Sequence, residues 1–239
     1  MKATFEQAIT FHREGKIEEA EHLYRIILKT QPEHLDANNN LGVILQYQGK
    51  LEQAKECYKK AIELNPDLSE AHNNLGNALK SLGKSNEAVK SYRKAIELKP
   101  DFSEAHNNLG NALKSLGKSN EAVKSYRKAI ELKSDFVAVH NNLGGILQNQ
   151  EKFNEAELSF KKAIEFKNDY DEAYNNLGVT LKNLGRIDEA EANYKKAIQL
   201  KPDYVEAYYN FGNLLKDLDR LKEAEKSFKK AIELKPDFV

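Results

Sequence analysis

Apolar residues recur every three or four positions in two short stretches of residues 69–102, a segment whose pattern is typical of the whole chain. The residues in the two stretches are, in order, Ala71, Leu75, Ala78, Leu79 and Leu82, then Ala88, Tyr92, Ala95, Ile96 and Leu98. This spacing places apolar side chains on one face of a helix, so each stretch predicts an amphipathic helix. Gly83 is predicted to end the first helix in a left-handed conformation, and Pro100 to end the second.

The two-helix pattern returns every 34 residues along the 239-residue chain. Seven rows align, at 1–34, 35–68, 69–102, 103–136, 137–170, 171–204 and 205–238. All five prolines share one column, and all twelve glycines except Gly145 fall in two columns. Rows 69–102 and 103–136 differ only in that Ser134 replaces Pro100, which indicates duplication of one row, by nature or by engineering. A fixed period of this length predicts that residues 1–239 form a single stack of like units rather than a globule.

One glycine column lies in the middle of the predicted first helices. Its members are Gly42, Gly76, Gly110, Gly144, Gly178 and Gly212. Glycine inside a helix costs about 0.5–1 kcal/mol relative to alanine, so close helix packing is expected to offset the cost. We expect the small partners to be alanines of the second helix, such as Ala88 and Ala122.

The junctions between helices show both regular and altered signals. Asp67 with Glu70, Asp101 with Glu104 and Asp203 with Glu206 resemble capping boxes, and predict that the first helices start there. Four positions depart from the pattern: Glu151 and Asp219 replace the closing glycine, and Ser134 and Asn168 replace the proline. Looser or differently angled junctions are expected beside them.

Composition excludes several functional classes. Lysine plus arginine equals aspartate plus glutamate at 37 each, and without a basic excess or stripe no nucleic acid is expected as a partner. Apolar runs such as 43–45 are far shorter than the ~20 residues that cross a bilayer, so no membrane partner is expected. Residues 1–15 lack the apolar core of a secretory signal. The single cysteine, Cys57, cannot form an internal disulfide, which favours a cytoplasmic location.

The pattern resembles the tetratricopeptide repeat (TPR), a 34-residue helix-turn-helix unit. In row 69–102 the resemblance rests on Leu75-Gly76, Ala88, Tyr92, Ala95 and Pro100. It implies an all-α fold, a right-handed α-solenoid of seven such repeats, with first helices lining a concave groove. Row 1–34 departs most, with Gln7-Ala8 for Leu-Gly, which predicts a genuine N-terminal boundary.

Asparagine occupies one first-helix column from the second row to the seventh, and by the family resemblance this column lies in the groove. The residues are Asn40, Asn74, Asn108, Asn142, Asn176 and Asn210, here called the asparagine ladder. An amide has donors and an acceptor, so a ladder of them is predicted to bind the backbone of an extended peptide with little sequence preference. With the AHNNLGNALK sequences at 71–80 and 105–114, it resembles the repeat region of O-linked N-acetylglucosamine transferases, where the family's ladder grips protein substrates. That resemblance raises the possibility of a missing downstream catalytic domain.

Other polar residues are predicted on the same face. Asn73, Asn107, Asn77 and Asn111 extend the candidate peptide site, and Lys80 and Lys114 lie near one rim. The alternatives are that the ladder serves solvation or local hydrogen bonding, and that the lysines form an ordinary solvated face. A carboxylate clamp of the co-chaperone type is not expected, because its cations are missing.

No catalytic, metal or cofactor site is predicted. His72, His106 and His140 recur 34 residues apart, too far for one metal ion when stacked helices lie about 10 Å apart, and inter-repeat packing is expected. Cys57 is expected to be a buried or half-buried spacer. Tyr208, Tyr209 and Phe211 make the last first helix aromatic, and no polar closing helix follows. The sequence thus predicts a noncatalytic protein- or peptide-binding module, with a scaffold that self-assembles end to end as the alternative.

Overall fold

A computed structural model describes residues 4–238, which fold into fourteen α-helices without a strand. The helices are α1 Phe5–Arg13, α2 Ile17–Thr30, α3 Leu35–Tyr47, α4 Leu51–Leu64, α5 Ser69–Ser81, α6 Ser85–Leu98, α7 Ser103–Ser115, α8 Ser119–Leu132, α9 Val137–Asn149, α10 Phe153–Phe166, α11 Asp171–Asn183, α12 Ile187–Leu200, α13 Val205–Asp217 and α14 Leu221–Leu234. A 3₁₀ turn, Pro236–Phe238, follows α14. Each predicted repeat supplies one pair, so the odd-numbered helices are the first helices and the even-numbered ones the second. The predicted all-α class and the seven helix pairs are confirmed.

The chain divides into two compact units, residues 1–132 with α1–α8 and residues 133–239 with α9–α14. Within each unit every helix packs against the next one along the chain. Neighbouring first helices also pack together, from α3 to α7 in unit 1 and from α9 to α13 in unit 2. Among the described residues no comparable contact joins successive second helices of a unit. Since the first helices lie closer together, the stack within each unit bends toward the first-helix side.

The turn inside each pair closes on a left-handed residue, as predicted. Gly83 has φ +76°, and its neighbour Lys84 donates a backbone hydrogen bond of 2.8 Å to the Leu79 carbonyl, which satisfies the end of α5. Glu151 and Asp219 adopt the same conformation, with φ 58° and 59°. These two turns therefore keep the backbone conformation of the glycine turns, and the expected loosening is not found in their dihedral angles.

The mid-helix glycines allow close packing, but against a different partner from the one predicted. A Cβ built on Gly76 would lie 2.5 Å from Cε1 of the Tyr92 ring, and the other five glycines of the column face Tyr58, Tyr126, Phe160, Tyr194 and Phe228 in the same way. Tyr92 is fully buried. The atoms nearest to the glycine therefore belong to the aromatic ring four residues after the second-helix alanine.

The capping boxes predicted between repeats are also wrong. The N-cap residues are Leu68, Phe102 and Tyr204, and none of them forms a side-chain cap. Asp67 lies one residue earlier, in the turn, where its backbone N–H donates to the Asn65 side chain at 3.1 Å. A capping box is present at α1, where Thr4 and Gln7 bond to each other's backbone.

Candidate functional site

The asparagine ladder lies on the first helices. All six side chains are half-buried, so each retains surface that solvent can reach. Since the first helices form the inner side of each unit's bend, the helices that carry the ladder lie on that side within their unit. We call the surface made by α1, α3, α5 and α7 the first-helix surface of unit 1, and the surface made by α9, α11 and α13 that of unit 2.

Four ladder residues donate to the asparagine that precedes the ladder column in the repeat before them. The Nδ2-to-Oδ1 distances for these asparagine rungs are 3.3 Å for Asn74–Asn39, 3.0 Å for Asn108–Asn73, 3.2 Å for Asn176–Asn141 and 3.0 Å for Asn210–Asn175. In the first pair of repeats, Asn40 donates instead to the Tyr24 hydroxyl at 3.4 Å. Each rung uses one of the two amide hydrogens and joins neighbouring repeats. Sequence reasoning missed this pairing, although two adjacent asparagine columns were the signal for it.

The asparagines beside the ladder have supporting positions. Asn73 is buried, at 7% exposure, and its oxygen accepts the rung from Asn108. Asn107 is half-buried and donates to Asn108 at 3.4 Å. These two contacts fix the orientation of the Asn108 amide.

The predicted residues one turn further along bind tyrosine hydroxyls. The Tyr92 hydroxyl donates to Asn77 Oδ1 at 2.8 Å, and the Tyr126 hydroxyl donates to Asn111 Oδ1 at the same distance. Burial raises the pKa of both tyrosines well above its usual range, so their hydroxyls remain protonated donors. The hydrogen bonds place Asn77 and Asn111 at the floor of the first-helix surface in unit 1.

The two candidate lysines are exposed near the C-terminal ends of α5 and α7. Among residues 4–238, neither Lys80 nor Lys114 forms an ion pair or a hydrogen bond through its ammonium group. Of their two counterparts in unit 2, Lys182 forms a 2.6 Å ion pair with Asp217, whereas Lys216 forms no ion pair or ammonium hydrogen bond among the described residues. Positive charge without a protein partner is therefore found on the first-helix surface of unit 1.

Two pockets on that surface were not predicted. Pocket A, of about 300 Å³, is lined by Ile9, His12, Arg13, Tyr24 and Asn40, and pocket B, of about 290 Å³, by Val43, Gln46, Tyr47, Tyr58 and Asn74. Each residue of pocket B follows its counterpart in pocket A by 34 positions. Tyr47 on the rim of pocket B is 82% exposed. The signal for Tyr47 was its column, which holds Arg13 and Ser81 in the adjacent rows.

Two protein-family models match the sequence. A family model described as the cilia and flagella-associated protein 70 C-terminal domain matches residues 34–237, and a tetratricopeptide repeat model matches residues 5–45. The chain belongs to the tetratricopeptide repeat family of the cilia and flagella-associated protein 70 C-terminal domain. No curated protein matches the sequence significantly.

Solved structures of other TPR proteins are similar. YrrB, described as a TPR protein with an unusual peptide-binding site, is 27% identical, covering 77% of this chain and 95% of that one, with a TM-score of 0.65. MamA is also 27% identical, covering 68% and 95%, with a TM-score of 0.63. PilF of Pseudomonas aeruginosa shares the fold at 22% identity, covering 87% and 95%, with a TM-score of 0.75. The TPR fold of this chain is that of a protein–protein interaction scaffold.

The histidines that recur every 34 residues form hydrogen bonds to backbone carbonyls within the fold. His72 Nε2 lies 2.9 Å from the Pro66 carbonyl, and His106 and His140 bond in the same way to the carbonyls of Pro100 and Ser134. The histidines thus bond to the turn that precedes their helix. Within residues 4–238 no group of three or more potential ligands is placed to bind a metal ion.

Two further sequence predictions concern Cys57 and the last repeats. Cys57 is half-buried as expected, and burial raises the pKa of its thiol, which opposes nucleophilic use. The Tyr209 ring is 39% exposed and packs 5.8 Å from the Phe228 ring. Over the described part of the chain, no helix has the length and apolar character needed to cross a membrane.

Proposed function

We propose that this TPR protein is a noncatalytic module that binds extended protein segments along the first-helix surface of each unit, with the ladder asparagines of that unit bonding the guest backbone. The observation on which this proposal rests is the rung geometry. A rung uses one amide hydrogen of a half-buried ladder residue such as Asn74, so a second hydrogen and a lone pair of the oxygen remain for a guest. The rung also fixes the amide's orientation, and a preorganised amide loses less entropy on binding.

The spacing of the ladder matches an extended guest chain. Packed helices lie about 8–10 Å apart, and a polyproline II segment advances about 9.3 Å in each three-residue turn. A guest of this conformation presents the same backbone face to the ladder once per repeat. Such bonding involves backbone N–H and C=O groups, so it tolerates many guest sequences.

Similarity to YrrB supports a peptide ligand, since that TPR protein is described as having a peptide-binding site and is 27% identical to this chain. The predicted relation to O-linked N-acetylglucosamine transferases adds no further support and stays a prediction. The proposal requires only the first-helix surface and makes no use of a downstream domain.

A matched pair of variants tests the proposal. Asn108→Ala and Asn73→Ala both remove the same 3.0 Å rung, but only Asn108 belongs to the ladder, while Asn73 is buried. An array of random 12-residue peptides first identifies binders, whose Kd is then measured by fluorescence anisotropy. Loss of one or two backbone bonds predicts a Kd about 5- to 30-fold higher for Asn108→Ala. Asn73→Ala is expected to change the Kd by less than about threefold, and equal effects of the two variants would contradict direct ladder contact.

One observation favours the second function, self-assembly. Leu221 and Ile232 on α14 are 60% and 45% exposed, whereas their counterparts Ile187 and Ile198 in the preceding repeat of unit 2 are half-buried. A second copy of the chain that covers this apolar face would raise the mass in solution. Light scattering over a 100-fold dilution, with Leu221→Lys as the disrupting variant, tests this function. A mass that stays monomeric at every concentration contradicts it.

A further inference from the structure

Cations without a protein partner are found on the first-helix surface of unit 1. Arg13, Lys80 and Lys114 are exposed, and none of them forms an ion pair or side-chain hydrogen bond among the described residues. Lys182, the counterpart of Lys80 in the second repeat of unit 2, instead pairs with Asp217. The first-turn acids of α5 and α7, such as Glu70, lie ten positions before the lysine of the same helix, about 15 Å away along its axis. The cations are therefore available to an acidic guest.

Acidic residues near these cations form ion pairs with other lysines, so the cations have no acidic partner there. Glu14, next to Arg13, pairs with Lys16 at 2.7 Å, and Glu70 pairs with Lys99 at 3.4 Å. His12 in pocket A is partly buried, and burial lowers its pKa, so its ring is neutral near pH 7 and adds no charge. The positive charge of the surface thus belongs to the arginine and the two lysines.

An apolar subsite lies between Arg13 and Lys80. Pocket B contains Val43 and the exposed ring of Tyr47, and its floor is the Tyr58 ring, whose hydroxyl donates to Gln46 at 3.1 Å. A tyrosine that is 82% exposed makes little contribution to the core, whereas an apolar guest side chain would remove its ring from water. The pocket volume of about 290 Å³ is sufficient for one aliphatic or aromatic side chain.

The three groups occupy successive repeats, in the order cation, apolar pocket, cation. Because the guest advances by about three residues per repeat, the guest side chains that contact the three groups lie three positions apart in the guest sequence. We propose that unit 1 selects acidic segments in which an apolar residue lies three positions from an acidic residue on each side. The selection rests on the proposed function, because the ladder bonds the backbone of the same guest. The motif has the same form in both chain directions, so it does not depend on the guest's orientation.

Fluorescent peptides test the selection directly. The probe is an 11-residue peptide with Glu at positions 3 and 9, Leu at position 6 and Ser, Gly or Ala elsewhere; Kd is measured by anisotropy at about 50 mM salt. Replacing both Glu by Gln should raise the Kd roughly 3- to 15-fold, since exposed ion pairs are weak. Replacing Leu by Ser should raise it about tenfold. A peptide with Glu at positions 5 and 7 should bind like the Gln peptide, and raising the salt to about 500 mM should remove the benefit of Glu.

Protein variants assign the effect to the surface. Lys80→Ala should weaken binding of the Glu peptide about two- to fivefold and leave the Gln peptide unchanged. Lys90→Ala is the matched control, because it removes the same charge from the second helix of the same repeat, where Lys90 is exposed. Tyr47→Ser should remove the preference for Leu over Ser at position 6. Lys80→Glu should bind a peptide with Glu at position 3 and Lys at position 9 better than the original probe.

The outcomes separate this inference from the proposed function. If Glu, Gln and displaced-Glu peptides bind equally well and Asn74→Ala weakens all of them, the ladder function stands and the selection of acidic segments is wrong. If Lys90→Ala weakens binding as much as Lys80→Ala, the effect is general electrostatic attraction and the assigned subsite is also wrong. If the Glu peptide binds with Lys80 dependence but Asn74→Ala has no effect, the selection stands and the ladder function is wrong.

Discussion

Two adjacent glycines in α9 provide a test of how the helix pairs pack. Gly144 belongs to the mid-helix column, and a Cβ there would lie 2.7, 2.8 and 2.8 Å from three ring carbons of Phe160. Gly145 is next in sequence, and a Cβ there would have no atom within 4 Å. Both residues lie inside one helix, so alanine gains the same helix propensity at either position, about 1 kcal/mol. The two substitutions differ only in the space around the new methyl group.

The magnitude follows from these distances. Carbon atoms prefer separations of about 3.5–4.0 Å, so Gly144→Ala forces three ring contacts to open by roughly 0.7–1 Å. Phe160 is fully buried and has no solvent-filled space into which it can move. Overpacking of this kind costs about 1–3 kcal/mol, so Gly144→Ala is expected to lower the free energy of unfolding by up to about 2 kcal/mol after the propensity gain. Gly145→Ala is expected to raise it by about 0.5–1 kcal/mol.

Urea unfolding followed by circular dichroism measures both free energies. The residues share a helix, so the same cooperative region reports both changes. Phe160→Leu serves as the partner variant, because a smaller side chain makes room for the methyl group. In a double-mutant cycle, combining it with Gly144→Ala should recover at least about 1 kcal/mol relative to the sum of the single effects. A Gly144→Ala variant as stable as Gly145→Ala would refute the account of the glycine column.

Asp219→Gly should raise the free energy of unfolding by about 0.5–1 kcal/mol, because φ 59° is strained for a residue with a Cβ; no rise in the urea midpoint would show that its side chain offsets the strain. His72→Ala should lower it by about 1 kcal/mol, whereas His72→Asn should be nearly neutral, since Asn38 makes the equivalent bond in the preceding repeat; equal losses in thermal melts would refute this role. Burial raises the pKa of Tyr170 to about 12, so the free energy of unfolding should fall as pH rises from about 10 to 12, and Tyr170→Phe should lessen the fall in alkaline unfolding curves; an unchanged fall would contradict the shift.

The helices could be predicted from the sequence because the same pattern of apolar residues and glycines recurs from repeat to repeat. The apolar stripe of Leu75 and Leu79 and the closing Gly83 are local signals, and local signals fix where helices form and stop. The capping boxes failed for a local reason too. Asp67 and Glu70 have the right spacing, but the helix starts one residue later than the pattern implies, with Leu68 as the N-cap. A one-residue difference of this kind depends on the turn geometry, which the spacing alone does not contain.

For the candidate site, the sequence predicted only which residues recur at equivalent positions of successive repeats. The ladder column was visible as a column, whereas the rung from Asn108 to Asn73 depends on how two helices 35 positions apart approach each other. The contact of Gly76 with the Tyr92 ring, rather than with Ala88, depends on the same approach. Tyr47 was not predicted because it occurs once, whereas the columns carry information only about residues that recur.

The identical helices α5 and α7 share all thirteen residues, from Ser69–Ser81 to Ser103–Ser115. A guest chain displaced by one repeat therefore meets the same amides and the same lysine, and this degeneracy can improve affinity by no more than a factor of two, about 0.4 kcal/mol. The duplicated helices alone leave the alignment of a guest ambiguous. Only residues that do not recur, such as Tyr47 and Arg13, distinguish one alignment from the other. Mutating them should therefore allow the guest chain to bind in both alignments before it abolishes binding.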